Sequence, residues 1–548
     1  MIGNSIPRIS ASKSPRSKTP STMNRRTVSS HLVLAARFFL AAILMAGFQT
    51  DLAHAQLTEL YGFQYNANTI SNYPDGQSPM AELIQGADGN YYTTTTAGGS
   101  GACPDDVQGL TPGCGAIVKI TPAGVLSVFY SFPYNSSNNT APNGLRPAAG
   151  LLQGPDGNFY GVASQGGSSG TGFCQGDGGI YGCGTIFKLT PSGAFTLLYS
   201  FCGGYGCGSH PPDGAAPLGR LVYSGGYYYG TTQQGGEYNG GYNSGTIFRI
   251  SPSGTYEIVH TFSGLSGTGD GAQPAAGLTL ASDGNFYGTT QWGGTSENGT
   301  VFKMTPAGTV TILYSFLSDD PNGTEPWGAL IQASDGKLYG TCYSGGADEA
   351  GTVFRISLAG VLEKIYDFVG TAGSLPRAGV IQASDGNLYG TAWEGGAGDN
   401  GSIYQLTLGG VATLEASFGA LGYSPAGALV QGSDGKLYVT TPNGGGTNPN
   451  GVADDGTIDV FNAGLPKPKP GIARFVPKSG KVGAKVTISQ GPYIGATEVS
   501  FNGTSATFKV KGSEFITATV PQGATSGPIS VTTPGGTIKS TQSFTVLP

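Results

Sequence analysis

The chain has 548 residues, of which 95 are Gly and 34 are Pro, and only 11% carry a charged side chain. Together with 38% hydrophobic and 10% aromatic residues, this composition excludes a highly charged disordered protein. Dense glycine disfavours helices, whereas 28 Tyr and 25 Phe favour strands, so the composition predicts an almost all-β protein. The length fits one large β assembly followed by a second module.

The first 55 residues are predicted to lie outside the fold. Residues 1–22 are polar and basic, which indicates a disordered leader or a start misassigned upstream of Met23. Residues 23–55 contain a basic pair, a short apolar run and small residues before Gln56, the pattern of a secretory signal peptide. The apolar run is too short to span a bilayer, and a retained signal anchor is the alternative. We expect a secreted or cell-surface protein without a membrane span in the mature chain.

Six of the seven cysteines form close pairs in Gly-rich loops. The predicted disulfides are Cys103 with Cys114, Cys174 with Cys183, and Cys202 with Cys207. Zinc binding is the alternative, but C-x-x-C spacing and nearby histidines are missing. The seventh, Cys342, is predicted to be a small buried residue in a strand.

Charge divides the chain into two regions. Residues 56–465 contain 11 Lys and Arg against 30 Asp and Glu, a net charge of −19, whereas residues 466–548 contain 9 against 2, a net charge of +7. The acidic region argues against nucleic acid as a partner. The lysines of the basic region are expected to form a solvated surface.

One sequence unit recurs seven times. Its turns are Asp88-Gly89, Asp156-Gly157, a degenerate Gly225-Gly226, Asp283-Gly284, Asp335-Gly336, Asp385-Gly386 and Asp434-Gly435. The spacing between turns falls from 69 to 49 residues along the chain, which indicates insertions in the early copies. Periods of about 40 to 50 residues with four strands each are typical of propeller blades.

Each unit divides into four predicted strands, a to d, joined as a meander. In the fourth copy they cover residues 278–281, 285–290, 299–305 and 309–316. Aspartate-glycine between strands a and b is a strong hairpin turn, because Gly accepts a positive φ without steric cost.

The two ends of the repeat array complement each other. A seventh copy of strand d, residues 57–63, precedes any strand a, and the last copy, residues 428–462, has only strands a, b and c. Pairing of these two segments closes a ring and removes two free sheet edges. We therefore predict a seven-bladed β-propeller over residues 56–464 with one N-terminal and three C-terminal strands in its last blade. An open solenoid is the alternative.

The connections from b to c and from d to a share one face of such a ring, which we call the loop face. This face carries the insertions and the paired cysteines, and variable loops on a rigid scaffold are where binding usually resides. Amides and aromatic rings precede the recurring Gly-Gly pair there, and such residues suit sugar or peptide recognition. The candidate ligand-binding residues are Gln165, Gln233, Gln234, Gln291, Trp292, Tyr343, Trp393 and Glu394. Packing of Trp292 and Trp393 between adjacent blades is the alternative.

Other recurring residues are predicted to be structural. Strand b holds a tyrosine in every copy, which we assign to packing between blades: Tyr92, Tyr160, Tyr229, Tyr287, Tyr339, Tyr389 and Tyr438. The Asp-Gly turns lack the alternating acidic ligands of a calcium loop. We expect neither a metal nor a cofactor.

Units of the form SDGNLYGT, GG, GTVFKMTP and LYSF resemble the GloVer tandem repeat of bacterial choice-of-anchor proteins over nearly all of residues 57–464. The resemblance implies a secreted or surface protein of unassigned activity. The units are also distantly similar to streptogramin lyase propellers. Those enzymes depend on His, Glu and magnesium, and no His or Glu cluster here matches theirs, so no catalytic residue is carried over.

A linker and a second domain follow the repeats. In residues 465–470 every second residue is proline, so this linker is expected to be extended. Residues 471–548 resemble an IPT/TIG domain, an immunoglobulin-like sandwich, through FVPKSG, KVTI, VSFNG and GPISVT in that order. This resemblance implies a spacer or adhesion module.

Two function classes stay open. Only His210 and His260 follow the signal peptide, which weakens His-dependent chemistry. A glycosidase or lyase needs only a positioned pair of carboxylates, and the loop face carries Asp105, Asp106, Asp177, Asp270, Asp319, Asp320 and Glu394. We predict a monomeric, noncatalytic extracellular binding or adhesion protein whose partner is a polysaccharide or a surface protein. A polysaccharide-active enzyme is the alternative.

Overall fold

The computed structural model describes residues 56–64, 73–100, 113–135, 137, 140–167, 182–202, 212–236, 244–264, 269–318, 320–370, 373–419, 422–445, 455–472 and 474–548. The predicted leader and signal peptide lie outside these ranges. Every regular element within them is a β-strand, which confirms the all-β prediction. No helix long and apolar enough to cross a membrane is found in the same ranges.

The strands before residue 463 are short and repeat in groups of four. They are β1 (Gln56–Gly62), β2 (Ile84–Gln85), β3 (Tyr91–Thr95), β4 (Ala116–Ile120), β5 (Leu126–Ser131), β6 (Leu152–Gln153), β7 (Phe159–Ala163), β8 (Thr185–Leu189), β9 (Phe195–Ser200), β10 (Val222–Ser224), β11 (Tyr227–Thr232), β12 (Thr246–Ile250), β13 (Tyr256–Thr261), β14 (Thr279–Leu280), β15 (Phe286–Thr290), β16 (Thr300–Met304), β17 (Val310–Ser315), β18 (Ile331–Gln332), β19 (Leu338–Cys342), β20 (Thr352–Ile356), β21 (Leu362–Asp367), β22 (Ile381–Gln382), β23 (Leu388–Ala392), β24 (Ser402–Leu406), β25 (Ala412–Ser417), β26 (Gly422–Tyr423), β27 (Val430–Gln431), β28 (Leu437–Thr441), β29 (Asn443–Gly444) and β30 (Thr457–Asn462).

Most of these strands form four-stranded antiparallel sheets. Sheets 1 to 6 are the consecutive groups β2–β5, β6–β9, β10–β13, β14–β17, β18–β21 and β22–β25, and sheet 7 has the order β27-β28-β30-β1. The strands of sheet 4 are a residue or two shorter at their ends than predicted. The trimmed residues pair within turns instead, as where Ala281 N donates to Asn285 O and Thr305 N donates to Thr309 O, both at 2.9 Å.

The sheets pack side by side in a closed ring. Each apolar core cluster in the ring mixes buried residues from two neighbouring sheets, and such a cluster fills the gap between every successive pair, including sheets 7 and 1. In the last gap Tyr438 of sheet 7 stacks on Tyr91 of sheet 1, with ring centroids 4.0 Å apart. The described residues therefore form a propeller-like repeat fold.

The seam of the ring lies in sheet 7, where β1 pairs with β30. The register runs antiparallel from Gln56 opposite Asn462 to Gly62 opposite Thr457, with a bulge after Glu59. Directly after β1, Phe63 is fully buried, and its backbone N donates to Gly456 O at 3.0 Å. The N-terminal strand thus completes a sheet whose other three strands end the repeat array.

The recurring tyrosines of the second strand lie in the gaps between sheets, as predicted. Their rings belong to the shared clusters, and six also donate a hydrogen bond of 2.8 to 3.1 Å to the turn aspartate four residues earlier: Tyr92, Tyr160, Tyr287, Tyr339, Tyr389 and Tyr438. The same aspartate caps its own turn, as where Asp283 Oδ1 accepts from Asn285 N at 3.0 Å. The turn aspartate therefore holds both the hairpin and the side chain of the tyrosine that packs between sheets.

The C-terminal region forms two sheets around its own core. Its strands are β31 (Arg474–Val476), β32 (Ser479–Gly480), β33 (Lys485–Ser489), β34 (Glu498–Phe501), β35 (Thr504–Ser505), β36 (Phe508–Val510), β37 (Phe515–Thr519), β38 (Gly527–Thr533) and β39 (Gly536–Val546). One sheet has the order β31-β33-β37-β36 and the other β32-β39-β38-β34-β35. Buried side chains such as Val486, Ile516 and Phe544 fill the space between them.

This C-terminal domain lies on the ring face opposite the loop face. Gln490 Nε2 donates to Leu280 O at 2.9 Å, and Lys511 Nζ donates to Asp156 O at 3.3 Å. In the linker, Pro466 O accepts a hydrogen bond from Gln431 Nε2 at 3.2 Å. The linker is therefore held against the ring.

The centre of the covered face is occupied by charged side chains. Arg220 of sheet 3 pairs with Glu514 of the C-terminal domain, and its Nε lies 3.9 Å from a carboxylate oxygen of Glu82 in sheet 1. Sheets 1 and 3 are not neighbours, so these side chains meet near the ring axis. A small cavity of about 30 Å³ between the ring and the C-terminal domain is lined by Gln85, Val430 and Pro534 among others.

Candidate functional site

The eight candidate residues lie where predicted, on connections between the second and third strands. Gln291 is buried, with 7% of its surface exposed, and the other seven are half-buried: Gln165, Gln233, Gln234, Trp292, Tyr343, Trp393 and Glu394. They therefore share one face of the ring, spread over sheets 2 to 6.

Two backbone contacts hold each of these connections in place. In sheet 4, Ala272 N donates to Trp292 O at 2.8 Å and Trp292 N donates back at 3.0 Å. Gly293, with φ +82°, follows directly, and a Cβ there would approach the backbone of Gly271 to 2.7 Å. Only glycine fits that crossing, which explains the recurring Gly-Gly pair.

The connections into each first strand share an unusual backbone. The residue before proline has a positive φ of 51° to 57° in each of the seven copies: Ser78, Arg146, Ala216, Gln273, Glu325, Leu375 and Ser424. Non-glycine residues adopt this conformation at a cost, and such strain often marks functional sites. Because the positive φ recurs in every copy although the residue that adopts it varies, it belongs to the architecture of the ring. It places the residue after proline on the loop face.

Four side chains from sheets 5 and 6 meet on this face, and we call them the aromatic cluster: Trp327, Tyr343, Arg377 and Trp393. The guanidinium carbon of Arg377 lies 3.7 Å from the ring centroid of Trp393, 5.4 Å from that of Trp327 and 5.5 Å from that of Tyr343. The rings of Trp327 and Tyr343 stack 5.2 Å apart at 20°. A cation surrounded by three rings is favoured by cation–π attraction.

Polar donors in the aromatic cluster lack partners. Trp327 Nε1 and Arg377 Nε are buried without a hydrogen bond. The other two guanidinium nitrogens of Arg377 also form no hydrogen bond or ion pair with the described part of the chain, and they are not sealed from solvent. Buried donors are normally paired. The two accessible guanidinium nitrogens of Arg377 are therefore free to donate to a ligand with acceptor oxygens.

An acidic residue borders the aromatic cluster. Glu325 lies two residues before Trp327, and burial raises the pKa of its carboxyl group, an effect that the nearby side chains of Gln291 and Ser344 reduce. Gln291 precedes Trp292 in the chain, so Glu325 of sheet 5 lies near the Trp292 connection of sheet 4.

Trp327 and Arg377 were missed by the sequence prediction, although a signal for them exists. Both follow the recurring proline, a position that holds small or aliphatic residues in the other copies: Met80, Ala148, Leu218, Ala275 and Ala426. Aligning the proline loops as well as the Gly-Gly loops shows these two large residues as exceptions.

His260 contacts Asp270, but the arrangement does not support acyl transfer. His260 Nε2 lies 2.7 Å from Asp270 Oδ2, and Ser263 Oγ donates to the other carboxylate oxygen at 2.8 Å. A nucleophilic serine must instead bond to the histidine. In sheet 2 a tyrosine takes the corresponding place, where Tyr199 bonds to Asp213 at 2.8 Å. The contact is a structural feature of the repeat.

The other carboxylates that the enzyme alternative could use divide into three groups. Asp320 is buried, and its carboxylate accepts from Tyr314 and Asn322, so it holds a loop. Glu394 is half-buried on the loop face. The remaining carboxylates lie outside the described residues, as does His210: Asp105, Asp106, Asp177 and Asp319. The described ranges contain no group of three His, Cys, Asp or Glu side chains able to hold a metal ion.

Cys114, Cys183 and Cys202 are each bonded in a disulfide. Their predicted partners, Cys103, Cys174 and Cys207, lie outside the described residues, so the three pairings stay predictions. Cys342 is a free, fully buried thiol at the end of β19, as predicted.

Asp459 in the seam is the buried carboxylate with the clearest perturbation. It is 3% exposed on β30, opposite Glu59, and Thr457 Oγ1 donates to it. Burial raises its pKa to about 7, and the Glu59 charge adds to the effect. Perturbed carboxyls often mark active sites. Asp459 lies inside sheet 7, so we expect its protonation to affect the stability of the fold.

The raised pKa of Asp459 predicts that the stability of the protein depends on pH. Its folded pKa is above the ordinary 3.8, so the folded protein holds a proton that the unfolded chain releases, and stability falls as pH rises from about 4 to about 7. Asp459→Asn should remove this slope and raise the free energy of unfolding at pH 8 by about 2 kcal/mol. Urea unfolding across this range measures it, with exposed Glu297→Gln as control. An unchanged slope in Asp459→Asn would contradict the assignment.

Comparison with known proteins identifies the family of the repeat but does not identify an activity. No curated protein matches the chain. Among solved structures, an extracellular domain assigned to a hybrid two-component system of Bacteroides thetaiotaomicron is 10% identical, with a TM-score of 0.43. The match covers 86% of this chain and 53% of that domain, so this chain spans about half the length of the domain. A fungal AA5-family alcohol oxidase in complex with copper is 12% identical, with a TM-score of 0.43, and the match covers 90% of this chain and 99% of the oxidase. Both likenesses are too distant to support an argument. The Gloeobacter/Verrucomicrobia repeat profile matches residues 69–269 and again 239–453, so the chain belongs to this tandem-repeat family.

Proposed function

We propose that the protein is a secreted or cell-surface binding protein that recognises a carbohydrate through the loop face of its ring. One observation carries this proposal: all three tryptophans of the chain, Trp292, Trp327 and Trp393, lie on connections of three adjacent sheets on the loop face. Tryptophan stacks on the apolar faces of sugars, and the amides of Gln233 and Gln234 on the same face can bond hydroxyl groups.

The proposed architecture is a seven-bladed β-propeller followed by an IPT/TIG domain. The four-stranded sheets and the pairing of β1 with β30 support the propeller and its closure. The two C-terminal sheets around one core support an immunoglobulin-like sandwich. The sandwich covers the face opposite the aromatic cluster, so a ligand reaches the ring from one side.

Disulfide bonds support the proposed extracellular location. Such bonds persist in oxidising compartments, and the bonded residues Cys114, Cys183 and Cys202 all lie in connections of the loop face. The signal-peptide pattern before Gln56 points to the same location.

A glycan array probed with the protein tests the proposal, with product analysis of every hit. Because the chain has no tryptophan outside the loop-face connections, saturable binding should change its tryptophan fluorescence. Binding without products would support a noncatalytic binding protein. Released oligosaccharide would replace this proposal with the enzyme alternative, and the absence of any glycan hit would overturn it.

Substitution of two tryptophans separates ligand contact from packing. Trp292→Ala and Trp393→Ala should each weaken glycan binding by about tenfold or more and leave the unfolding temperature nearly unchanged. Titration by calorimetry measures the binding. Tyr227→Ala is the matched control, because Tyr227 also lies against an arginine, Arg249 at 4.8 Å, but at the start of β11 near the opposite face. Unfolding of both tryptophan variants would instead support the packing alternative.

A further inference from the structure

We infer that the glycan bound at the aromatic cluster carries a carboxylate and that Arg377 pairs with it. This inference rests on the proposed carbohydrate-binding function and names the class of glycan: an acidic sugar, such as a uronate, within a mostly neutral polysaccharide.

The first support is the isolation of the Arg377 charge. Other arginines of the ring have carboxylate partners, such as Arg249 with Glu257 at 2.7 Å and Arg355 with Glu363 at 2.6 Å. Arg377 has none among the described residues, although the repeat region carries a net charge of −19. A half-buried cation without a counterion is unfavourable, so an external anion bound beside Arg377 would be stabilised.

The second support is the geometry of the cluster. Trp393 covers one side of the guanidinium at 3.7 Å, so that side is closed to a ligand. The edge with the two Nη groups stays available, and this edge is the one that matches the two oxygens of a carboxylate. The aromatic rings around the guanidinium make its surroundings less polar than bulk water, which strengthens a charge-assisted hydrogen bond.

The third support limits the charge density of the ligand. A polyanion would meet the net charge of −19 at many points and gain one favourable contact at Arg377. A glycan with widely spaced carboxylates on a neutral backbone avoids that repulsion. Trp292 and the Gln233 and Gln234 amides would then contact its neutral sugars. An acidic peptide would use the same guanidinium edge but leave those contacts unexplained.

The test pairs each acidic glycan with its carboxyl-reduced form, for example glucuronoxylan oligosaccharides before and after reduction of the glucuronate to the alcohol. The protein should bind the acidic form at least about tenfold more tightly. Arg377→Gln should abolish this preference, so that the acidic and the reduced forms bind with similar affinity. Arg377→Lys should keep part of the preference, because it keeps the charge but loses the planar fork.

Arg249→Gln is the matched control, because it removes another arginine stacked on an aromatic ring, on β12, and should leave the preference intact. Equal binding of both glycan forms by the unmodified protein would overturn this inference and leave the proposed function standing. Retention of the preference in Arg377→Gln would also overturn it. Binding of acidic peptides without any glycan binding would overturn both proposals.

Discussion

Removal of residues 56–63 is expected to abolish the cooperative fold of the ring. These residues supply the whole of β1, the partner of β30, and the fully buried Phe63. Without them, one edge of β30 loses its backbone hydrogen bonds, and the clusters on the two sides of sheet 7 lose Phe63 and Leu57. The combined loss should exceed about 5 kcal/mol, which is comparable with the net stability of many domains.

Thermal unfolding and hydrogen exchange measure this effect. The deleted protein should show early exchange of the β30 amides and a broad transition at lower temperature. A synthetic peptide of residues 56–63 added in trans should restore part of the protection, because it can pair with the exposed edge. Gln56→Ala, at an exposed position of β1, is the control. A sharp transition at the original temperature after deletion would contradict the ring closure.

Phe515→Ala is expected to uncouple the C-terminal domain from the ring. Phe515 is 3% exposed and belongs to the apolar cluster of sheets 2 and 3, where its ring meets that of Tyr223 edge-on at 5.6 Å. Truncation of a buried phenylalanine costs about 3 to 5 kcal/mol. Here the loss falls on the contact between two domains, so one calorimetric transition should become two.

Limited proteolysis provides a second measurement of this coupling. The linker of residues 465–470 should become sensitive to protease in Phe515→Ala, because it would no longer be held against the ring. Phe544→Ala is the matched control, since Phe544 is buried in the C-terminal core and should destabilise that domain without freeing the linker first. A protected linker and a single transition in Phe515→Ala would show that the polar contacts alone hold the domains together.

Much of the fold follows from the repeat because its key residues act locally. The aspartate of each Asp-Gly turn accepts hydrogen bonds from residues two and four positions later, so its role is legible within one unit. The strand at residues 57–63 could be assigned because its sequence matches six others. Because strand direction alternates within each sheet, the connections from b to c and from d to a were assigned to the same face. The structure places the candidate site residues on that face.

The remaining features depend on contacts that no single unit contains. The aromatic cluster joins two different connections from each of two sheets, so neither the Gly-Gly loops nor the proline loops alone reveal it. Arg220 and Glu514 are 294 residues apart, and nothing near either residue in sequence indicates the contact. The position of the C-terminal domain was therefore outside the reach of pattern analysis.

The seam between β1 and β30 also determines when folding can finish. Its partners are separated by about 400 residues, among the longest sequence separations in the chain. High contact order slows folding, because the loop-closure entropy is lost before the contact forms. During synthesis or export, β1 must wait until residue 462 has emerged, with its edge open to other chains. The final closure step is therefore the point at which a chaperone that shields strand edges would most increase the yield of folded protein.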